Sequence, residues 1–307
     1  MSDNFFINLR NVTVGIPVFN EQRYIHNTVL SALQQGTQVI VSNNCSTDNT
    51  KLILDDLQAK FNNLIVYHQQ ENIGGFNNFN FVLHKANTEY FMWLGAHDLF
   101  PENHVYNLLK IFHSDPLAIG VFGSTKYIDE SDTFLYRYDY AWSDFLSSLD
   151  QLVRVKAIIS KLSDCSIVHA LYKKDILKNI HNVIVPCIGY DHALMAMLAA
   201  KGKILYTDKT YFIRRDFPAT RDASQDALRQ EESISSKLKS ANGIKRYDKM
   251  RKMQLQAVKD IKPKISFFQI NYLRYILLIR FYLPAQRTYT YFKKIISVFN
   301  LFKRITS

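Results

Sequence analysis

The stretch YFMWLGAHD, residues 90–98, decides which fold the sequence predicts. It begins as a short run of aromatic and apolar residues, which is typical of a buried strand. The run breaks at Gly95, and a single carboxylate, Asp98, follows three residues later. A strand that stops at glycine and continues into polar side chains indicates a ligand-binding loop at the carboxyl end of a sheet strand.

Three similar units of strand and polar loop precede this stretch. They are VTVGIPV (12–18) with FNE (19–21), QVIVSNN with SNNCSTD (42–48), and LIVYH (64–68) with ENIGG (71–75). Segments with helical spacing separate them, the first from about residue 21 to residue 35, and Gly36 is its stop signal. Strands that alternate with helices predict an α/β fold with a mainly parallel sheet, so the four polar loops meet at one edge and form a binding crevice.

Three motifs together carry a resemblance to a known family. They are IPVFNE (16–21), VSNNCSTDNT (41–50) and the run from ENIGG to GAHD (71–98). With this spacing the chain resembles the family 2 glycosyltransferases, the inverting class with the GT-A fold that builds bacterial surface polysaccharides such as capsule and O-antigen. The resemblance covers residues 12 to about 115 and continues more loosely to about 215. It implies a Rossmann-like domain, with helices flanking a mainly parallel sheet, that transfers a hexosyl or N-acetylhexosaminyl group from a UDP-linked donor with inversion.

The resemblance places the donor nucleotide among residues of all four loops. The matching positions are Pro17, Phe19, Asn20, Glu21, Asn43, Asn44, Asp48, Asn72, Gly74, Ala96, His97 and Arg215. The chain departs from the family at Asn43 and Asn44, where two acids are common. An amide both donates and accepts, so it can pair with a uracil edge, but it supplies no negative charge. Asp48 has an alternative role as a helix cap.

In the family an Asp-x-Asp motif after the fourth strand holds a divalent cation that bridges the two phosphates. The cation neutralises the negative charge that develops as the nucleoside diphosphate departs. The chain has Ala96, His97 and Asp98 there, so only the last acid is present. The resemblance therefore implies Mn²⁺ or Mg²⁺ bound by Asp98, with His97 as a second ligand or as a hydrogen-bond donor to phosphate; an imidazole ligand suits Mn²⁺ better. The alternative for His97 is a histidine on a surface loop.

The acceptor half needs one carboxylate to take the proton of the attacking hydroxyl. Asp191, in VPCIGYDHALMAMLAAKGKILY (185–206), matches the family's acid and is the predicted general base; its alternative role is a helix N-cap. Its neighbour His192 contacts the acceptor or lies on the surface. Either Arg214 or Arg215 is expected to clamp a phosphate, unless the two form a solvated basic pair. The acceptor implied by the resemblance is a polyprenyl-diphosphate-linked or saccharide molecule.

The net charge of +11 is concentrated at the C-terminal end. Residues 261–307 contain nine Lys or Arg, eleven Phe or Tyr and no Asp or Glu. We therefore expect a catalytic domain over 1–218, of which about 1–115 bind the donor and 116–218 the acceptor, a connector over 219–260 and an amphipathic tail over 261–307. The tail predicts attachment to an anionic membrane surface, which places the protein peripherally at the cytoplasmic face of the cell membrane. In the alternative, the tail packs on the catalytic domain or on a second subunit of a homo-oligomer.

Composition and missing motifs exclude several other classes. The rest of the chain is nearly neutral, which argues against binding to nucleic acid. Three widely spaced cysteines suit a reducing cytoplasm, and the first ten residues do not resemble a signal peptide. No GxGxxG follows a predicted strand, and the loop after the first strand lacks the glycine of a nucleotidyltransferase. A non-catalytic GT-A protein that binds a nucleotide or a partner remains the main alternative, because Asn43, Asn44 and Ala96 replace acids.

Overall fold

The computed structural model describes residues 7–182, 184 and 190–217. The described strands are β1 (Val12–Val18), β2 (Gln38–Asn43), β3 (Leu64–His68), β4 (Tyr90–Trp93), β5 (Ala118–Ile128), β6 (Phe134–Tyr138), β7 (Leu171–Lys173) and β8 (Lys203–Arg215). The α-helices are α1 (Ile25–Leu33), α2 (Thr50–Lys60), α3 (Gly75–Lys85), α4 (His104–Phe112), α5 (Gln151–Lys161), α6 (Lys174–His181) and α7 (Tyr190–Lys201). Short 3₁₀ helices cover Leu9–Asn11, Ser143–Ser147 and Cys165–His169. The predicted connector and tail lie outside the described residues.

All eight strands belong to one mixed sheet, in the order β3-β2-β1-β4-β7-β5-β6, with β8 paired to β5. Strands β1 to β4 are mutually parallel, and β5 is parallel to β8. The short strand β7 is antiparallel to both β4 and β5 and joins the two parallel halves. The predicted α/β class with a mainly parallel sheet is confirmed, and the carboxyl ends of β1, β2 and β4 lie side by side.

The sheet is covered on both faces, which explains why β1 is apolar throughout. Every residue from Val12 to Val18 is buried. At Gly15 a side chain would lie 2.6 Å from Phe91 and 2.9 Å from Val82, so the helix on that face packs directly on the backbone. Two clusters of buried side chains result, one containing Trp93 and Tyr172 and the other containing Ile16. A strand buried on both faces is expected in a parallel sheet with helices on each side.

Helix α1 is shorter than the pattern predicts, and the difference matters for the site. The structure has it over Ile25–Leu33 and not from residue 21. The carbonyl of Glu21 accepts hydrogen bonds from the amides of Tyr24 and Ile25, both at 3.0 Å, which makes a turn before the helix. Gly36 has a φ of +72°, as its role as stop signal requires. Glu21 consequently belongs to the loop after β1.

Helix α7 is buried on all sides. Each residue from Ala193 to Ala200 is buried, and a helix that is apolar around its whole circumference belongs in a protein core. Its first turn, which begins at Tyr190, is partly exposed, and Lys201 at its other end is exposed. The core therefore fixes the position of Asp191. Within the described ranges, no helix has the length and apolar character needed to cross a membrane.

Two buried histidines should make the free energy of unfolding fall in mild acid. Burial lowers the pKa of His104 to about 3, and burial together with nearby His84 lowers that of His181 to about 4. Below the unfolded-state pKa of about 6.5, the unfolded chain takes up protons that the folded chain does not, so stability is lost as the pH falls towards those values. We expect each histidine to reduce the free energy of unfolding by about 2 kcal/mol between pH 8 and pH 5.

Urea unfolding at several pH values measures this loss. In His104→Asn the amide can still bond with Thr210 Oγ1, which lies 2.8 Å from the His104 Nδ1 atom. The variant should lose roughly half of the combined pH dependence. An identical dependence in the variant and the wild type would show that His104 is not responsible.

Candidate functional site

The loops that follow β1 and β2 are joined directly at the edge of the sheet. The backbone amide of Asn20 donates to Ser46 Oγ at 2.9 Å, and the amide of Thr47 donates to Asn20 Oδ1 at 2.8 Å. Asn20 and Cys45 have φ values of 54° and 60°, so both loops contain a residue in the left-handed region. The structure thus brings the first two polar motifs into one rim.

Asn43 uses its side chain within this rim. Its Oδ1 atom accepts from the amide of Ser46 at 3.1 Å, and its Nδ2 atom lies 3.0 Å from Nδ1 of His68. His68 in turn contacts Asp55 Oδ1 at 2.8 Å. Since Asn43 is buried, these bonds give it a supporting role, and direct contact with a nucleotide base stays a prediction.

Asn44 links the second loop to the third. Its Nδ2 atom donates to Asn72 Oδ1 at 2.8 Å, and its Oδ1 atom accepts from the amide of Ile73 at 2.9 Å. Asn72 Oδ1 also accepts from the amide of Gly74, which has a φ of +80°. Asn72 and Gly74 are exposed at the rim, whereas Asn44 is buried beneath them.

The remaining residues of the first two loops divide into supporting and exposed ones. Both carboxylate oxygens of Asp48 accept from backbone amides, those of Thr50 at 2.9 Å and Gln22 at 3.0 Å, so Asp48 does act as a cap at the start of α2. Pro17 is buried within β1. Phe19 is 36% exposed, so its ring is accessible to a flat ligand group.

Glu21 and His97 form a pair across the crevice. Glu21 Oε1 lies 3.0 Å from His97 Nδ1, and the amide of Glu21 donates to Thr50 Oγ1 at 2.9 Å. Glu21 is buried, while the His97 side chain is 25% exposed. A carboxylate that accepts from Nδ1 orients the ring and leaves Nε2 as the ligand atom, which is the usual arrangement around metal-bound histidines.

Asp98 is held by the backbone on both sides. Its Oδ1 atom accepts from the amide of Arg215 at 2.9 Å, and its own amide donates to the carbonyl of Gly95 at 3.0 Å. A Cβ atom at Gly95 would overlap with Asp98 Oδ2. The glycine that ends the fourth strand is therefore needed so that the carboxylate can fold back over the backbone.

These two residues fit a hard divalent cation in part. Asp98 offers Oδ2 and His97 offers Nε2, and the diphosphate of a donor would supply the remaining oxygen ligands. Among the described residues, the one group of three or more metal-ligating side chains is Cys165, Asp191 and His192, which does not include them. A cation bound by His97 and Asp98 thus depends on the bound nucleotide for most of its ligands.

Ala96 and Arg215, both predicted to bind the donor, have structural roles instead. Ala96 is buried in the apolar core, and its carbonyl accepts from Thr28 Oγ1 of α1 at 3.1 Å, so neither group faces the crevice. The buried guanidinium of Arg215 donates to the carbonyls of His97, at 3.1 Å, and Asp129, at 2.7 Å. It also stacks on Tyr24, 4.4 Å from the ring centroid. Arg215 therefore braces the loop of Asp98 and is not placed as a phosphate clamp.

Its neighbour Arg214 instead lines a cavity of about 490 Å³. The guanidinium donates to Asp164 Oδ1 and to Ser166 Oγ, both at 2.9 Å. The cavity is lined by Tyr127, Tyr136, Tyr138, Ser163, Asp164, Cys165, Arg214 and Asp216. The rings of Tyr127 and Tyr136 stack with centroids 4.3 Å apart. These tyrosines and Asp164 could not be predicted from the sequence, because they come from separate segments without a motif.

Asp191 adjoins this cavity. It lies in the first turn of α7, partly exposed, and its Oδ1 atom accepts from the amide of His192 at 2.9 Å. Burial and the carboxylate of Asp191 raise the pKa of the Cys165 thiol, which lines the cavity. The predicted base therefore stands beside the open space in which an acceptor would bind.

One short 3₁₀ helix, Cys165–His169, connects the two halves of the site. At its far end, His169 Nδ1 lies 3.1 Å from the carbonyl of Trp93, at the end of β4. Burial lowers the pKa of His169, and the charge of Asp98 acts in the opposite direction. The segment consequently has Asp98 near one end and Asp191 near the other.

Polar loops at the carboxyl ends of parallel strands, with Asp98 in the loop after β4 and Asp191 beside an adjoining cavity, are the arrangement expected of the GT-A fold. The family model described as "Glycosyl transferase family 2" matches residues 13–181, and the chain belongs to this family.

Two curated relatives are bacterial. The chain is 26% identical over 196 residues to the minor teichoic acid biosynthesis protein GgaB of Bacillus subtilis, which covers 62% of the chain and 21% of GgaB. It is 27% identical over 130 residues to glycosyltransferase GlyG of Streptococcus pneumoniae, which covers 41% of the chain and 43% of GlyG. The chain therefore spans less than half the length of either relative.

Solved structures confirm the GT-A fold. S. aureus TarS 1–349 in complex with UDP-GlcNAc superposes with a TM-score of 0.61 at 17% identity, over 87% of the chain and 70% of TarS 1–349. The mannosyltransferase PcManGT of Pyrobaculum calidifontis, in complex with GDP-Man and Mn²⁺, gives a TM-score of 0.52 at 15% identity, over 90% of the chain and 82% of PcManGT. At these identities the likeness concerns the fold alone.

Proposed function

We propose that the chain transfers a sugar, with inversion, from a UDP-linked donor to a hydroxyl group of a lipid-linked or saccharide acceptor during synthesis of a cell-surface polymer. The observation that carries the proposal is the position of Asp98 and Asp191 near opposite ends of Cys165–His169, with a cavity of about 490 Å³ beside Asp191. The UDP-GlcNAc in the TarS structure supports the donor class, and the name of GgaB supports a teichoic-acid-type acceptor.

On the donor side, His97 and Asp98 would hold Mn²⁺ or Mg²⁺. When bound, the cation would neutralise the charge of the departing nucleoside diphosphate. Glu21 fixes the ring of His97 through the 3.0 Å contact to Nδ1. The exposed ring of Phe19 would cover the nucleotide base, and Asn20, Asn72 and Gly74 would form the polar rim around it.

On the acceptor side, Asp191 takes the proton of the attacking hydroxyl. The acceptor oxygen forms its bond to the anomeric carbon while the bond from that carbon to the diphosphate oxygen breaks, so the configuration inverts. Asp191 lies in the first turn of α7, which holds its carboxylate beside the cavity where a general base would meet the acceptor. The tyrosine rings of the cavity suit the apolar face of a sugar, and Arg214 suits an acidic group on the acceptor.

A thermal-shift panel of nucleotides and sugar nucleotides, with and without Mn²⁺, tests the donor class. With Mn²⁺ present, a UDP-sugar at about 100 times its Kd should stabilise the protein by about 2.7 kcal/mol, and the same concentration without the metal should stabilise it less. Assays of UDP release with candidate acceptors then test transfer. The proposal fails if no nucleoside diphosphate or sugar nucleotide binds under either condition.

A second candidate is a GT-A protein that binds nucleotide without catalysis. It is favoured by the buried amides of Asn43 and Asn44 and by the apolar packing of Ala96, since three positions that carry acids in the family carry none here. Such a protein would bind UDP or a UDP-sugar yet release no UDP with any acceptor.

We also propose that residues 261–307, which lie outside the described part, hold the protein at the inner face of the cell membrane. The support is their composition, since nine basic residues and eleven Phe or Tyr combine charge with apolar surface. We expect truncation after Asp260 to release the protein from vesicles that contain anionic lipid. Added salt should weaken the binding of the full chain without abolishing it.

Co-sedimentation measures this binding, and vesicles of purely zwitterionic lipid are the control. Circular dichroism checks that the truncated chain is folded. If the full chain fails to sediment with anionic vesicles at low salt, the membrane proposal is wrong, and an oligomer measured in solution would then favour packing of the tail on a second subunit.

A further inference from the structure

We propose that Cys165, Asp191 and His192 form a zinc site that overlaps the predicted general base. One ligand atom from each residue lies within 4.8 Å of the other two. All three residues are partly exposed, and Cys165 lines the 490 Å³ cavity, so an ion has a path from solvent. The site is distinct from the cation site of His97 and Asp98.

The ligand set determines which metal binds. A thiolate is a soft ligand that selects zinc, whereas Mg²⁺ and Mn²⁺ prefer hard oxygen ligands. Zinc takes four tetrahedral ligands, and three protein ligands leave the fourth position for water, as in open zinc sites. The two sites in this protein would therefore separate metals by chemistry, with Mn²⁺ at Asp98 and Zn²⁺ at Cys165.

The two segments that carry the ligands are held in place by the surrounding structure. Asp164 Oδ1 accepts from the amide of Ser166 at 2.9 Å and from its Oγ at 2.7 Å, which fixes the start of the 3₁₀ helix at Cys165. Asp191 and His192 precede the buried body of α7. Tetrahedral zinc bonds of about 2.0–2.3 Å place the ligand atoms roughly 3.5 Å apart. The ligand atoms here lie within 4.8 Å of one another, so they would move together by at most about 1.5 Å.

The charges around the three ligands are mixed but permit a cation. Two groups disfavour one, because the N-terminus of α7 and the guanidinium of Arg214 are both positive. Arg214 is, however, paired with Asp164 at 2.9 Å, and zinc displaces the thiol proton, so the site itself contributes two negative ligands. Both negative ligands are needed, because without the charges of the Cys165 thiolate and the Asp191 carboxylate the helix N-terminus and Arg214 would repel the cation.

Bound zinc would occupy the Asp191 oxygen that accepts the proton of the acceptor. Zn²⁺ should therefore inhibit transfer, and this consequence rests on the proposed function, whereas zinc binding itself does not. The test uses the untagged full chain and measures Zn²⁺ binding by calorimetry and Co²⁺ binding by thiolate-to-cobalt charge-transfer absorption.

We expect Cys165→Ser to abolish the charge-transfer band and to raise the Kd for Zn²⁺ at least about 100-fold, beyond the 10–100-fold effect of losing an outer-shell partner. His192→Ala should keep the band and weaken binding. Cys45→Ser, at the other partly exposed cysteine among the described residues, is the matched control for zinc binding and should leave the band and the Kd unchanged. Thermal unfolding of each variant without metal shows that it is folded.

Equal zinc affinity in the wild type and a folded Cys165→Ser variant overturns the proposal, and so does a wild-type chain that gives no charge-transfer band with Co²⁺. Where transfer activity is found, Zn²⁺ should inhibit the wild type in the presence of Mn²⁺ and inhibit Cys165→Ser at least about 100-fold less strongly, which corresponds to about 2.8 kcal/mol in binding. If no transfer is found, the binding measurements still decide the zinc site, and the failure belongs to the proposed function.

Discussion

Replacing Asp191 with asparagine is expected to lower the rate of sugar transfer by about 10²–10⁴-fold, the usual contribution of a positioned general base, while leaving donor affinity unchanged. Asparagine has the same shape and can still accept from the amide of His192, which now bonds to Asp191 Oδ1 at 2.9 Å. It cannot accept the proton of an acceptor hydroxyl. Steady-state kinetics with a soluble acceptor and donor binding by thermal shift measure the two effects separately.

Asp175→Asn is a matched control for this variant. Asp175 also lies in the first turn of a helix, α6, but its side chain is 85% exposed and pairs only loosely with Lys174, at 3.4 Å. Its removal changes the net charge equally and should leave turnover within about twofold, because an exposed surface charge contributes little. Undiminished transfer by a folded Asp191→Asn chain would remove Asp191 from the mechanism.

The sequence predicts the donor half of the fold because each element there has a local signal. Val12–Val18 is apolar along its whole length, and the structure buries each of its residues in a strand. Gly36 stops the first helix with a positive φ, as predicted. Strand β7 has no such signal, since its three residues are ordered by pairing with β4 and β5 and not by their own periodicity.

The site is predictable where one loop contains the chemistry and unpredictable where distant segments meet. His97 and Asp98 lie in one loop after a strand, and the structure holds this loop against Glu21 and the backbone amide of Arg215. The cavity combines β5, β6, the segment of Cys165–His169 and the end of β8. No spacing in the sequence links Tyr127 of β5 to Asp164, which caps the 3₁₀ helix Cys165–His169, so packing of that helix against β5 brings them together.

Arg214 lines the cavity and Arg215 braces the loop of Asp98, and the physical reason for this difference cannot be seen in the spacing of the sequence. Successive residues of a strand point to opposite faces of the sheet. Arg215 points towards Tyr24 and is buried, whereas Arg214 points towards the Tyr127 cavity and remains partly exposed. Which of two adjacent arginines meets a ligand therefore depends on the register between β8 and β5, where the pairing shifts after Gly123.

Replacing Asp98 with asparagine is expected to abolish the Mn²⁺-dependent part of donor binding. The amide oxygen of asparagine can still accept from the amide of Arg215, a bond of 2.9 Å in the wild type, so the fold should persist. The negative charge that a hard cation requires is lost, because asparagine is neutral. We expect the affinity for a UDP-sugar in the presence of Mn²⁺ to fall by about 100-fold or more, while UDP binding without metal changes little.

Two further variants are compared with Asp98→Asn, one with a smaller expected effect and one as a control. Glu21→Gln removes the carboxylate that orients His97 and should weaken Mn²⁺ binding by about 10–100-fold, the typical effect of an outer-shell partner, which is less than the effect of Asp98→Asn. Asp56→Asn is the control, because Asp56 is an exposed residue of α2 whose contact is Lys60 at 2.6 Å.

Electron paramagnetic resonance of bound Mn²⁺ together with calorimetry of the donor separates metal affinity from donor affinity. If Asp98→Asn binds Mn²⁺ and donor as the wild type does, the cation does not bind at Asp98. The charge of the departing diphosphate must then be neutralised by other groups, for which Arg214 is a candidate because its guanidinium interacts with the charge of Asp98.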